Sequence, residues 1–195
     1  MQPFVTLRAP ALPIAQPNVD TDQIVPARYL QKPRSANFGD FLFRDLRDRP
    51  DGSENPDFVL NQPGYRDARI VVAEENFACG SSREHAVWAL YDYGVRVVIA
   101  PSLGDIFTSS AAKNGLLTIL LPHAVVAGII AQLQAAPGME LTVDLEAQTV
   151  VSGNAVYPFE IDGYRKTCLQ SGLDELRYTL TRLPAIEAFE RTYTG

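Results

Sequence analysis

Two kinds of apolar pattern alternate along the middle of the chain. Residues 69–74 hold an unbroken run, Ile70, Val71, Val72 and Ala73, that reads as a buried strand, and residues 95–100 and 116–121 repeat it. Between the first two runs, Ala86, Val87, Leu90 and Tyr91 recur at three- and four-residue spacing, which predicts a helix over residues 83–92 stopped by Gly94. Residues 102–114 read as a second helix, with Lys113, Asn114 and Gly115 as its C-terminal signal. Residues 123–135 read as a third, presenting Val126, Ile129, Ile130 and Leu133. Strands alternating with helices argue for a parallel sheet. Later the strands crowd together, at 141–145, 149–151 and 156–159, with turns at Glu146-Ala147 and Gly153-Asn154, and this spacing argues for antiparallel pairing. Residues 162–171 read as a helix closed by Gly172, and further helix follows to about Arg182.

Two stretches carry a weaker pattern. Residues 1–17 alternate apolar and polar positions but include Pro3, Pro10, Pro13 and Pro17, which suits a short edge strand and a loop. Residues 28–64 are punctuated by Pro33, Pro50, Pro56, Pro63, Gly39, Gly52 and Gly64. They read as a largely irregular excursion with a short helix over 40–46, and a loop of this length in a compact domain is usually a lid or a binding segment when it is ordered. The expected fold class is α/β, one domain over residues 1–195, with a central parallel sheet, its helices, and a smaller antiparallel sheet.

Composition narrows the partners. Seventeen Lys and Arg against 23 Asp and Glu give a net charge of −6, which argues against nucleic acid or an anionic membrane as the main partner. Any positive potential must then be made locally, so each arginine near a site matters more. Two cysteines, Cys79 and Cys168, make no disulfide framework and cannot hold a metal cluster by themselves. Without a signal-like start or an apolar run of membrane-spanning length, a cytoplasmic protein is expected.

The chemistry concentrates where the first buried run feeds the first helix. Gly80, Ser81 and Ser82 fall at a helix N-terminus, where unpaired N–H groups and the dipole make a ready anion site. Arg83 adds a planar fork suited to carboxylate or phosphate. The alternative for the serines is simple capping. Upstream, Asp20 and Asp22 stand at i and i+2, either as turn formers or as active-site carboxylates. Arg28, Lys32 and Arg34 are by default surface charges, and their closeness to Asp22 makes them candidates for gripping a substrate carboxylate. A hydrolase pairing Ser81 or Cys79 with His85 lacks the nucleophile-elbow sequence. A nucleotide module lacks the phosphate-loop lysine pattern.

The fragment NFACGSSREHAVWAL at 76–90, together with NVDTDQIVPARYL at 18–30, closely resembles the swivelling domain of the aconitase superfamily, in particular the small subunits of 3-isopropylmalate dehydratase. Residues 38–47, 55–61, 98–107 and 162–173 fall in family-like order, so the resemblance spans nearly the whole chain. It implies a swivelling β/β/α architecture and a hydro-lyase of leucine biosynthesis that interconverts 2- and 3-isopropylmalate. Ser81 would be the base, acting as an alkoxide, and Arg83 a carboxylate grip alongside Gly80 and Ser82. Asp22, the second Asp of its motif, would lie at the active site, and Gln31 and Lys32 would help select the substrate's variable side chain. The cofactor would be a 4Fe-4S cluster held by three cysteines of a separate large subunit, with none bound by this chain. Homoaconitase-like and citraconate- or methylmalate-type substrates belong to the same chemistry. The sequence departs from the family at Ala78, usually glycine, Val87, usually proline, and Ser110, commonly asparagine. If Ala78 takes a positive φ, strain of about 1 kcal/mol is expected.

Overall fold

The structure, a computed structural model, describes residues 1–34, 37–80 and 83–193. Its elements in chain order are β1 (Thr6–Ile14), α1 (Thr21–Ile24), α2 (Arg44–Arg47), β2 (Ile70–Ala73), α3 (Glu84–Tyr93), β3 (Val97–Ala100), α4 (Asp105–Asn114), β4 (Leu117–Leu120), α5 (His123–Ala135), β5 (Glu140–Asp144), β6 (Thr149–Ser152), β7 (Ala155–Pro158), α6 (Gly163–Ser171), α7 (Glu175–Thr181) and α8 (Leu183–Thr192). The seven strands form one sheet in the order β4-β3-β2-β1-β5-β6-β7. From β4 to β1 the pairing is parallel, and from β1 to β7 it is antiparallel.

The first strand corrects the expectation of an edge. It is the central strand, where the parallel and antiparallel halves meet. Thr6 to Pro10 pair with β5, and Ala11 to Ile14 pair with β2. Its prolines survive in the middle of a sheet because each nitrogen faces a place where the neighbouring strand is absent. The Pro10 carbonyl accepts from the Arg69 N–H just before β2 begins, so the Pro10 nitrogen points toward the chain ahead of β2. The Ala11 N–H donates to the Met139 carbonyl, so the Pro13 nitrogen, two residues on, points past the start of β5. No ladder bond is lost at either position.

Side chains alternate across the sheet and make two cores. Leu12, Ile14, Val71, Ala73, Val98 and Ala100 face α3, α4 and the excursion. Ala9, Ala11, Ile70, Val72, Val97 and Ile99 face α5, whose Val126, Ile129, Ile130 and Leu133 are all buried. Each fully buried Val, Leu or Ile contributes about 1.5–3 kcal/mol relative to exposure, so these strands and α5 form the rigid platform beneath the loops at the strand ends.

The excursion lacks long elements yet belongs to the core. Phe38, Leu42, Phe43 and Leu60 are buried, as is Tyr65 just after the excursion, whose hydroxyl donates to the Leu133 carbonyl at 2.7 Å. The helix expected over 40–46 is instead a 3-10 turn, Phe38–Phe41, followed by α2. The break falls at Phe43, held at φ 51°. Its N–H donates to Ile24 at 2.8 Å, and its ring packs on Phe58. Gly39 is required where the turn meets α3, since a Cβ there would lie 2.7 Å from the Tyr93 nitrogen. At the other end α8 extends the helical tail beyond Arg182, where the sequence reading stopped, and it buries no residue. Among the described residues no helix is long and apolar enough to cross a membrane.

Candidate active site

The loops that leave the C-terminal ends of β1, β2 and β3 lie side by side and are laced together through their backbones. The Asn18 N–H donates to Glu75 at 2.9 Å, Ala78 to Val19 at 2.6 Å, and Thr21 to Cys79 at 3.1 Å. On the other flank Phe77 donates to Ser102 at 3.2 Å and Gly104 donates to Phe77 at 3.0 Å. Side chains tighten the lattice. The Asn76 amide donates to Asn18 Oδ1 at 2.7 Å, and the Asn76 N–H to Ser102 Oγ at 2.8 Å. Ligands of open α/β sheets bind outside the carboxyl ends of the strands, and this is where the signature lies.

Backbone strain marks the same loop. Asn76, Ala78 and Gly80 take φ values of 58°, 58° and 92°. Asparagine and glycine accept this conformation readily, whereas alanine gives up about 1–2 kcal/mol. A glycine at 78 would take this conformation without that penalty. Gly104 passes so close beneath that a Cβ on it would sit 2.4 Å from the Ala78 carbonyl oxygen. An open cleft of about 300 Å³ lies beside these turns, lined by Ala78, Cys79, Gly80, Gly104 and Phe107 among others.

The two upstream aspartates separate by role. Asp20 is the N-cap of α1: its carboxylate accepts from the Gln23 N–H at 2.8 Å, while Gln23 Oε1 accepts from the Asp20 N–H at 3.0 Å. Asp22, in the first turn, forms an ion pair with Arg83. Arg83 is itself the N-cap of α3, in extended conformation at φ −84°, with its helix beginning at Glu84. Ser81 and Ser82 lie outside the described residues.

Two of the other expected grips hold carboxylates of their own. Arg28 holds Asp45 and lies 4.7 Å over the Tyr29 ring, which stacks on Phe41 at 4.3 Å. Arg28 keeps Asp45 below the usual carboxylate range. Arg34 holds Asp92 and lies 5.0 Å from the Trp88 ring centre. Gln31 and Lys32 are exposed between them. His85, the base a hydrolase would need, packs its ring on Phe38 and Trp88, at 5.4 and 4.6 Å.

Among the described residues no group of three or more His, Cys, Asp or Glu could hold a metal ion. Cys79 is partly exposed at the cleft and Cys168 is buried in α6, so this chain does not fit an iron–sulfur cluster of its own. A cavity of about 500 Å³ lies between α4, β4 and residues 158–165, and no signature residue lines it. Three contributors escape the sequence reading: the Asn18–Asn76 tie, the Gly104 approach and Asp92. Of these only Asp92 leaves a trace, as an acidic residue in the last turn of a helix.

This loop cluster on a mixed sheet defines a class. The family described as Aconitase C-terminal domain matches residues 1–124, and the family described as LeuD_N matches residues 128–163. The chain is 47% identical to a 3-isopropylmalate dehydratase small subunit of Cereibacter sphaeroides, over 98% of this chain and 96% of that one. With a Paracoccus denitrificans protein of the same description the identity is 45%, over 97% and 95%. It also matches a crystal structure of 3-isopropylmalate dehydratase from Methanocaldococcus jannaschii, with a TM-score of 0.67 and 25% identity, covering 95% of this chain and 99% of that one. The chain belongs to the family of 3-isopropylmalate dehydratase small subunits.

Proposed function

We propose that this chain, acting as one swivelling domain in the cytoplasm, joins a large subunit to interconvert 2-isopropylmalate and 3-isopropylmalate. The observation that carries the site assignment is the Asp22–Arg83 pair, which joins the loops after β1 and β2 beside the start of α3. Dehydration removes the proton on C3 and the hydroxyl on C2, leaving a C2=C3 double bond and water. Rehydration returns hydrogen to C2 and hydroxyl to C3. Ser81 is the proposed base for the carbon-bound proton. An unperturbed serine is a very weak base at neutral pH, so its alkoxide needs nearby cationic and N–H stabilisation, which Arg83 and the start of α3 would provide. Arg83 grips a substrate carboxylate with its fork, Asp22 orients that fork, and Gly80 and Ser82 are the further proposed substrate-binding residues. A 4Fe-4S cluster on the large subunit is the proposed Lewis acid, and no step on this chain's residues runs through it.

Gln31 and Lys32 face the substrate's alkyl group in this reading, while Arg28 and Arg34 hold the segment that carries them. Discrimination there is worth about 1–3 kcal/mol per methylene-sized change. Coexpression with a large subunit, followed by anaerobic assay of a panel of 2-hydroxy dicarboxylates, tests the proposal. The lone chain is expected to purify colourless and inactive, and the pair to prefer 2-isopropylmalate. Robust turnover by the lone chain would overturn it, and a preference for a homocitrate- or methylmalate-type substrate would reassign the substrate.

A further inference from the structure

We infer that Asp92 is a positioning residue that sets where the substrate-selecting segment stands relative to the Arg83 end of α3. The inference rests on the reading of Gln31 and Lys32 as that segment. Asp92 accepts from both terminal nitrogens of Arg34, one of them at 3.0 Å, and from the Phe38 N–H at 3.2 Å. One carboxylate thereby ties two points of the excursion, four residues apart, to α3. Its side chain is 16% exposed, against 43% for Arg34, so the fixed partner is the acid on the helix.

Three further observations separate this contact from an ordinary surface ion pair. Asp92 sits in the last turn of α3, where a negative charge opposes the helix dipole, and aspartate is a poor helix former. Helix stability alone therefore disfavours the residue at this place. His85, Trp88 and Asp92, at i, i+3 and i+7, form one stripe of α3. Every member of it meets the excursion, His85 and Trp88 through Phe38 and Asp92 through Arg34 and Phe38. Gly39, next to Phe38, backs directly onto Asp92 and Tyr93, so the far side of the tie cannot shift. The helix thus carries the carboxylate grip at one end and the anchor of the selectivity segment at the other, nine residues or about 13 Å apart at 1.5 Å per residue. The fork of Arg34 serves the tie instead of the substrate.

The test uses the complex with its large subunit and two substrates, 2-isopropylmalate and 2-methylmalate. Asp92→Asn removes the charge and should lower the ratio of the two kcat/KM values at least tenfold, mostly through a higher KM for the preferred substrate, with its kcat within about threefold of the parent. Arg34→Gln cuts the same tie from the exposed loop and should reproduce the change even if Asp92→Asn folds poorly. The reciprocal pair, Asp92→Arg with Arg34→Asp, should recover at least threefold of the lost ratio, which a merely structural role would not give. An unchanged ratio in both single variants, when the parent discriminates, overturns this inference alone. A parent complex that does not discriminate between the two substrates overturns the reading of residues 31 and 32 and this inference with it.

Discussion

Asp22 and Arg83, 61 residues apart in sequence, meet as an ion pair that joins the loop after β1 to the start of α3. The arginine is 19% exposed and the aspartate 54%. A pair this open to water adds less than about 1 kcal/mol to folding, so in the proposed mechanism its part is to hold the guanidinium ready for a carboxylate.

Arg83→Lys keeps the charge and loses the fork. We expect a KM raised about tenfold or more, with a melting temperature close to the parent's. Asp22→Asn should raise KM as well, by releasing the fork from its orientation. The double variant should be clearly less impaired than the two losses combined, with a coupling of about 0.5–3 kcal/mol as for residues in contact. Strict additivity in kcat/KM would mean that Asp22 does not act through Arg83.

Ser81→Ala tests the base. General-base catalysis contributes about 10²–10⁴-fold, so the assembled complex should lose that much kcat while keeping its melting temperature, cluster content and substrate affinity. A serine that only caps the helix predicts the reverse: about 0.5–2 kcal/mol of lost stability with near-normal kcat. Measuring all four quantities on one preparation decides between them.

How much was legible in the sequence follows from which interactions are local. The strand runs at residues 70–73 and 97–100, the helix 123–135 and the Gly94, Gly115 and Gly172 stops depend on periodicity and on left-handed caps, and both signals are written within a dozen residues. The edge reading of β1 failed because proline's penalty depends on what lies beside its nitrogen, and that is set by strands more than fifty residues away. The excursion read as irregular, and it is. Its burial was invisible because Phe38, Leu42 and Phe43 earn their places through α1 and α3 instead of through any period of their own. In the site, GSSREH and the DTD motif could be recognised as patterns, whereas the division of labour between Asp20 as cap and Asp22 as partner of Arg83 needed the fold. The Arg34–Asp92 tie spans 58 residues and has no local signature beyond a misplaced acid.

Gly104→Ala tests the lacing of the loops. The added methyl would lie 2.4 Å from a backbone oxygen, and backbone cannot swing aside as a side chain can. Overpacking of this kind costs about 1–3 kcal/mol. The displaced atom belongs to Ala78, one residue from Cys79 and two from Gly80, so kcat/KM should fall further than the fraction of folded protein explains. Thermal unfolding together with activity per folded molecule gives the answer, and full specific activity in a destabilised variant would show that the turn tolerates the shift.

The Arg28–Asp45 pair gives the excursion a pH dependence of defined sign. The hydrogen bond from Arg28 holds the Asp45 carboxyl below the ordinary value of 3.8 against the opposing effect of burial, and the Arg28 charge adds to it. A carboxylate depressed on folding adds stability that is present above the unfolded pKa, about 3.9, and is lost as pH falls through the lower folded value. Both side chains are more than half exposed, so the contribution stays below about 1 kcal/mol and global unfolding should scarcely register it. The local effect is larger in consequence, because α2 and the turn after α1 are joined here. Below about pH 4 residues 28–34 and 37–50 should become easier to nick with an acid-active protease in the parent, while Asp45→Asn should already be more susceptible than the parent to a neutral protease at pH 7 and change little on acidification. Equal protection of parent and variant at both pH values would show that aromatic packing of Tyr29 on Phe41 holds the segment without the ion pair.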